Sequence, residues 1–266
     1  MSHVTEPHIA PSVTQPWPRF FPSFGRPWGI FAALLIAVFA GYGARDTLLP
    51  AILAYTPLPA LARHSIAWGA FGIILDWGTE FAVILLAVWM IRMPLRAYLG
   101  WTRPRAGDVV LGLAVAVALG LLPNLLQFAV LGKPLNPSQI GDYQQAIAGG
   151  TSKLWLVFAW WPAILLAPLV EESVFRGFLW RGFSASRLGN IGALLLTALL
   201  FSAIHYNQTI MADGSFNGWP FIEHFIDGLG LGALRWRSGT TTVPFLMHVW
   251  MNLWTSMAVI VLLPLT

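Results

Sequence analysis

Long apolar runs, separated by short polar or Pro- and Gly-containing stretches, follow one another from residue 28 to the end of the chain. A helix crossing the hydrocarbon core of a bilayer needs about 20 mainly apolar residues. Seven stretches approach that pattern: 28–42, 65–91, 108–131, 154–175, 188–206, 219–236 and 241–264. The first is short, and 47–55 either extends it as a broken or re-entrant piece or counts as an eighth span. The pattern predicts an all-α fold, a polytopic transmembrane helix bundle of about seven to eight spans. Residues 1–27 are rich in Pro and polar groups, lack a continuous apolar core, and read as a flexible N-terminal tail rather than a cleavable signal. No connecting stretch is long enough for a separate soluble domain, so 28–153 and 154–266 are expected to form one structural domain.

Composition strengthens the membrane reading. Hydrophobic residues make up 57% of the chain and charged residues 10%, with a mean hydropathy of +0.68. Soluble domains carry roughly a quarter charged residues, so most of this surface must face something other than water. The chain has no cysteine, which excludes disulfides, a thiol nucleophile and a thiolate zinc site. A formal charge of +4, scattered along the sequence, argues against nucleic acid as a partner. Membrane lipid is the partner expected of such a multi-pass chain.

The basic residues orient the spans. With the N-terminus inside, the inner segments hold Arg19, Arg26, Arg92, Arg96, Arg103, Arg105, Arg176, Arg181, Arg187, Arg235 and Arg237, eleven of the 15 Lys and Arg. Arg45, Arg63, Lys133 and Lys153 fall outside. An excess of cytoplasmic Lys and Arg is the usual signature of orientation.

Ionisable groups within spans are costly and mark function. Glu171 and Glu172 directly follow an apolar run, and neighbours on a helix point about 100° apart. Glu172 and Arg176, one turn apart, can pair; Glu171 then faces elsewhere, and a carboxylate in an apolar cleft suits a general base. The alternative is an interfacial ion cluster. Phe201 and His205 share a helix face, as do His248 and Asn252. Polar residues of this kind also serve as interhelical hydrogen-bonding glue. If the fourth and fifth spans turn near Ser186, Glu171 lies about 15 residues before the turn and His205 about 19 after it, a depth difference of about 6 Å. The His248/Asn252 pair can donate two hydrogen bonds to one point, as an oxyanion site requires. Asp76 and Glu80 share a face of the second span and either line a cavity or hydrogen-bond to another span; Glu223, His224 and Asp227 open the sixth, in an outer loop or at a helix start where acidic residues suit the helix dipole.

The succession E-E-x-x-x-R, F-x-x-x-H and H-x-x-x-N, with the glycine-containing run from Phe225 to Asn252, resembles the CAAX protease and bacteriocin-processing (CPBP, or Abi) family, to which the Ras-converting CAAX endopeptidase belongs. The similarity covers about residues 154–254, so the resemblance makes 154–266 a catalytic four-helix core. It implies an intramembrane endopeptidase of a bacterial cell membrane, acting on a peptide or membrane-protein substrate, in which Glu171 and His205 activate the attacking water and His248 with Asn252 stabilises the oxyanion. Glu172 and Arg176 would support the site, and Phe201 would pack beside His205. Gly228 and Gly232 form a G-x-x-x-G through which a neighbouring helix approaches closely.

Metal use stays open at this point. Glu171, His205 and His248 could complete a zinc site with an open water position, but Asn is not a usual zinc ligand. Asn252 beside His248 therefore favours a mechanism that requires no cofactor. Two other classes compete: a non-catalytic membrane scaffold or immunity factor, and a proton-coupled transporter using Asp76, Glu80 and the glutamate pair. A scaffold has no need of all four site residues, and the sequence shows none of the inverted repeats common in transporters.

Overall fold

The computed structural model describes residues 25–44, 47, 51, 66–132, 160–210 and 214–262. Among them the architecture is all-helical, with no strand pairing beyond the isolated bridge between Ile210 and Phe216. Helix α1 (Ile30–Val38) continues as a π-helical segment to Ala44. Helix α2 is Ile66–Met90, α3 the short Leu95–Tyr98, and α4 Ala106–Leu131. Helix α5 occupies residues 160–184 and alternates between π and α winding. Helices α6 (Gly189–Ile204), α7 (Trp219–Ser238) and α8 (Thr242–Leu262) complete the bundle.

Helix ends follow local chemistry. Helix α4 stops at Gly132, whose φ of 64° suits glycine and whose N–H bonds back to the Phe128 carbonyl at 2.8 Å. Helix α7 starts with Pro220 in its first turn and stops at Gly239, φ 71°. Two expectations need correction. The fourth span was expected to end at residue 175, but the helix runs on to Ser184. Arg176, the residue that suggested the end, is fully buried against Glu172, so its charge is neutralised inside the bundle. Arg176 and Arg235 are likewise buried rather than displayed on the inner surface.

Among the described residues one helix, Ala106–Val130, is long and apolar enough to cross a membrane, while Ile30–Gly43 and Gly189–Ile204 are shorter apolar helices. At 1.5 Å per residue a 16-residue helix such as α6 reaches about 24 Å, short of the roughly 30 Å hydrocarbon core. Helix α7 fails for another reason: Glu223, Asp227, Arg235 and Arg237 interrupt its apolar run. The stretch 47–55, apart from residues 47 and 51, lies outside the described residues, as do Lys133, Lys153 and nearly all of the tail.

Polarity is distributed inside out. Val110, Leu125, Val130, Trp89, Leu35, Ile191 and Trp254 are exposed, whereas Glu172, Arg176, Ser173, Ser202 and Thr197 are buried. A soluble monomer rarely displays apolar side chains on so many helices at once. Small residues set the helix spacing around the polar interior. A Cβ on Gly228 would lie 2.8 Å from the Ala198 Cα, and one on Gly232 would lie 2.7 Å from Leu194, so α6 and α7 touch along the expected G-x-x-x-G. Gly230 is similarly filled by Leu119 of α4, and Gly112 of α4 by Met247 of α8.

One end of the bundle is closed by a clamp around residues 98–102. The Thr241 hydroxyl donates to the Leu99 carbonyl at 2.6 Å, its N–H to that of Gly100 at 2.8 Å, and the Thr242 hydroxyl to that of Thr102 at 2.7 Å. Gly100 has φ 73°, and a Cβ there would lie 2.8 Å from the Arg235 guanidinium. Gly177 of α5 packs on the same loop, with 3.0 Å between its hypothetical Cβ and the Leu99 carbonyl oxygen. The clamp ties α5, α7 and α8 together one to two turns from the glutamate pair.

Candidate active site

Helix α5 brings Glu171 and Glu172 to the middle of the bundle, through two stretches wound as π-helix. Winding of this kind inside α-helices concentrates at functional sites. The first has a cause in the sequence. The Ala167 N–H bonds to the Pro162 carbonyl, five residues back, and the next residue, Pro168, has no N–H. The Ala163 carbonyl is thus left without a helical donor. Asn252 of α8 fills the gap, its Nδ2 donating to the Ala163 oxygen at 2.9 Å.

Glu172 and Arg176 pair as their spacing predicted. Arg176 Nη1 donates to Glu172 Oε1 at 3.0 Å, and both side chains are 0% exposed. Arg176 Nη2 donates to the Gly228 carbonyl at 3.1 Å, while its guanidinium carbon lies 4.7 Å from the centre of the Phe201 ring. Arg235 Nε donates to the Arg176 carbonyl at 2.9 Å, so α5 and α7 are joined at two points. A buried pair is tolerable when further hydrogen bonds satisfy its members.

Glu172 has a second role that helical spacing does not reveal. Its Oε1 also accepts from His248 Nδ1 at 2.9 Å. This bond sets the orientation of the His248 ring and turns Nε2 toward Glu171, whose Oε2 stands 3.8 Å away. The separation is wider than a hydrogen bond, and a water bonded to both atoms at about 2.8 Å fits the gap. His248 therefore sits between the two glutamates, with α5 supplying both.

His205 ends α6. Its Nδ1 lies 2.8 Å from the Phe201 carbonyl, which can only accept; Nδ1 therefore carries the proton and Nε2 is left as a lone pair. The Phe201 ring is the hub joining the histidines, with ring centres 4.9 Å from His205, 5.7 Å from His248 and 6.1 Å from His224. The expected packing role of Phe201 fits these contacts. His224, flagged in the sequence as ionisable but given no role, stacks on His205 with centres 3.9 Å apart and planes 27° apart. Its Nε2 is 2.9 Å from Gln208 Oε1 in the 3₁₀ turn after α6.

The expected residues are thus distributed as follows. Glu171, Glu172, Arg176 and His248 form one contiguous group, and His205 adjoins it through Phe201. Asn252 lies one turn beyond His248 with one amide hydrogen committed to Ala163; the other remains to donate. Asp227 and Glu223 share the face of α7 beside His224, and Asp227 Oδ1 is buried without a hydrogen-bond partner. Asp76 and Glu80 lie on α2; Glu80 Oε1 comes within 3.7 Å of where a Cβ on Gly41 would stand, which places it against the α1 side of the bundle. Among the described residues no three His, Asp or Glu side chains converge closely enough to hold a metal ion. Glu171, His205 and His248 do not close into a ligand shell in this geometry, and no step is routed through a metal.

Comparison with known proteins bears on residues 153–254, which match the family described as "Rce1-like: Type II CAAX prenyl endopeptidase Rce1-like". The matched segment contains α5 to α7 and the first part of α8, and with them both glutamates, the three histidines and Asn252. It relates this part of the chain to the CPBP family of CAAX proteases, membrane-embedded hydrolases. No curated protein and no solved structure matches the chain.

Proposed function

We propose that the chain is an intramembrane endopeptidase that hydrolyses a peptide bond with a water activated by Glu171 and His205, and that His248 and Asn252 face the forming oxyanion. The observation that carries the reading is the placement of His248, bonded to Glu172 through Nδ1 and facing Glu171 through Nε2. Such an arrangement orients one ring nitrogen while leaving the other to the reaction, the logic shared by many hydrolytic sites. The relation of residues 153–254 to CAAX endopeptidases supports the same class of chemistry.

In the proposed step the Glu171 carboxylate removes a proton from water as the oxygen attacks the scissile carbonyl carbon. The carbonyl π electrons move to oxygen, where His248 Nε2–H and the second Asn252 N–H donate. With carboxylates on both sides, the His248 ring can carry protons on both nitrogens. His205 Nε2 accepts a hydrogen bond from the same water and fixes its lone pair toward the carbon. Collapse of the tetrahedral species breaks the C–N bond, and the amine leaves with the proton held by Glu171. No metal is required by this scheme. The substrate is a peptide or membrane protein presented from lipid, and the matched family's name makes a prenylated C-terminal CAAX sequence the first to try.

The test is turnover of a farnesylated CAAX peptide by purified protein in detergent. Glu171→Ala and His205→Ala are expected to abolish cleavage while melting like the parent. Wild-type turnover by either variant overturns the water-activation roles.

A further inference from the structure

His224 lies outside the glutamate and histidine motifs, yet its ring is the one stacked face to face on His205. We propose that His224 is a positioning residue, a neutral aromatic platform that holds the His205 ring so that its Nε2 addresses the reacting water. The proposal rests on the role given to His205 above, and it adds a residue to that site.

Three observations on separate elements converge. First, His205 is the residue at which α6 ends: its backbone has φ −93° and ψ 12°, and the chain turns there into a 3₁₀ segment. A side chain at a helix terminus has fewer neighbours to restrict it than one in mid-helix. The bond from Nδ1 to the Phe201 carbonyl anchors one ring atom, but rotation about that contact remains unless a face of the ring is also covered. His224, from the first half of α7, covers that face at 3.9 Å. Second, His224 is itself held: Nε2–H donates to Gln208 Oε1 at 2.9 Å, three residues after His205 on the same turn. Helix end, turn and platform therefore form a closed loop of contacts. Third, α7 cannot shift to loosen the stack, because Gly228, one turn after His224, meets Ala198 of α6 with no room for a Cβ.

The platform has a chemical consequence. The bond to Gln208 is open to His224 in either protonation state, but a second cation stacked parallel on His205 would be opposed by like-charge repulsion, which favours the neutral ring. A neutral aromatic face instead stabilises positive charge above it. His224 thus favours the partial positive charge that His205 gathers as its Nε2 accepts the hydrogen bond from the water that Glu171 deprotonates. A phenylalanine could supply the same face without the Gln208 bond; an alanine could not.

The experiment compares the wild-type chain with His224→Ala, His224→Phe and His205→Ala on a farnesylated CAAX peptide, together with NMR spectra of ring-labelled histidines in micelles. His224→Ala is expected to lower kcat about tenfold with KM within about twofold, since a misoriented group is felt in the chemical step rather than in binding. His224→Phe should recover most of the loss, a rescue that a general folding defect in His224→Ala would not predict. In the spectra, the His205 ring protons should lose a ring-current shift in His224→Ala and keep it in His224→Phe. Unchanged His205 resonances in His224→Ala overturn the stack whatever the turnover. An inactive His205→Ala beside a His224→Ala variant with wild-type kcat overturns the role of His224 alone. Full activity in His205→Ala removes the reading on which the proposal rests.

Discussion

At Glu172 a single carboxylate oxygen serves two cations or would-be cations, Arg176 Nη1 at 3.0 Å and His248 Nδ1 at 2.9 Å. Removing its charge leaves a fully buried guanidinium without a counter-ion, which typically costs about 3–5 kcal/mol. Glu172→Gln should therefore lower the melting temperature of the purified protein markedly. The double variant Glu172→Gln with Arg176→Met should recover much of the loss, because the uncompensated charge is gone. A Glu172→Gln protein as thermostable as its parent would mean the pair contributes nothing to folding.

Asn252 offers a second test at the same scale. In the proposed role of oxyanion donor it would act mainly in the transition state, so Asn252→Ala should reduce kcat far more than it raises KM. Loss of one such donor elsewhere costs on the order of 10²–10³ in rate. Asn252→Asp should be at least as damaging above neutral pH, because it brings negative charge to the place where negative charge develops. An active Asn252→Asp enzyme that a chelator then silences would establish a metal mechanism in place of the one proposed, with the peptidase reading intact.

Among the elements, α5 is the one whose irregularity has the clearest origin and consequence. Pro168 cannot donate, Ala167 reaches back five residues to Pro162, and the freed Ala163 carbonyl takes its hydrogen bond from α8. The helix break and the position of α8 are thus one feature. Leaving a carbonyl unsatisfied costs about 1–3 kcal/mol, so Asn252→Ala should destabilise the protein by roughly that amount. Pro168→Ala restores a backbone donor, and in that background the further cost of Asn252→Ala should shrink. Denaturation of the four proteins of this cycle measures the coupling; strictly additive effects would show that the proline and the asparagine do not share the carbonyl.

For the whole molecule, the polar turns gather at one end. Gly25 N–H bonds to the Ile91 carbonyl, and the turn after α7 is tied to the loop at Leu99–Thr102. Exposed Arg26, Arg92, Arg96, Arg103, Arg105 and Arg237 are carried on these segments. Although Arg176 and Arg235 turned out to be buried, we propose from the remaining cluster that this end faces the cytoplasm. The chain has no cysteine, so Arg237→Cys and Ser215→Cys can be probed singly with a membrane-impermeant thiol reagent. In intact cells Ser215→Cys should label and Arg237→Cys should not. The opposite pattern would invert the orientation without touching the site.

Much of this was legible in the residues because it depends on short-range geometry or on solvent. Except for α5, which runs nine residues past its expected end, the apolar runs dictated helices at almost the observed bounds, since apolar stretches of that length leave the backbone no partner but itself. Spacing of three and four residues paired Glu172 with Arg176 and put Phe201 beneath His205. Glycines four apart marked the face on which α6 meets α7. What spacing cannot supply is the rotation of one helix against another, and each remaining feature depends on it. The bond of His248 to Glu172, the stack of His224 on His205 and the hold of Asn252 on Ala163 all join different helices. Arg235, which reads as a surface charge, is drawn inside because the Arg176 carbonyl and Gly100 lie where its helix docks. The sequence by itself determined which residues share a helix face and which faces are polar; packing alone decided which of those faces look at one another, because azimuth is set by the fit of small residues between helices.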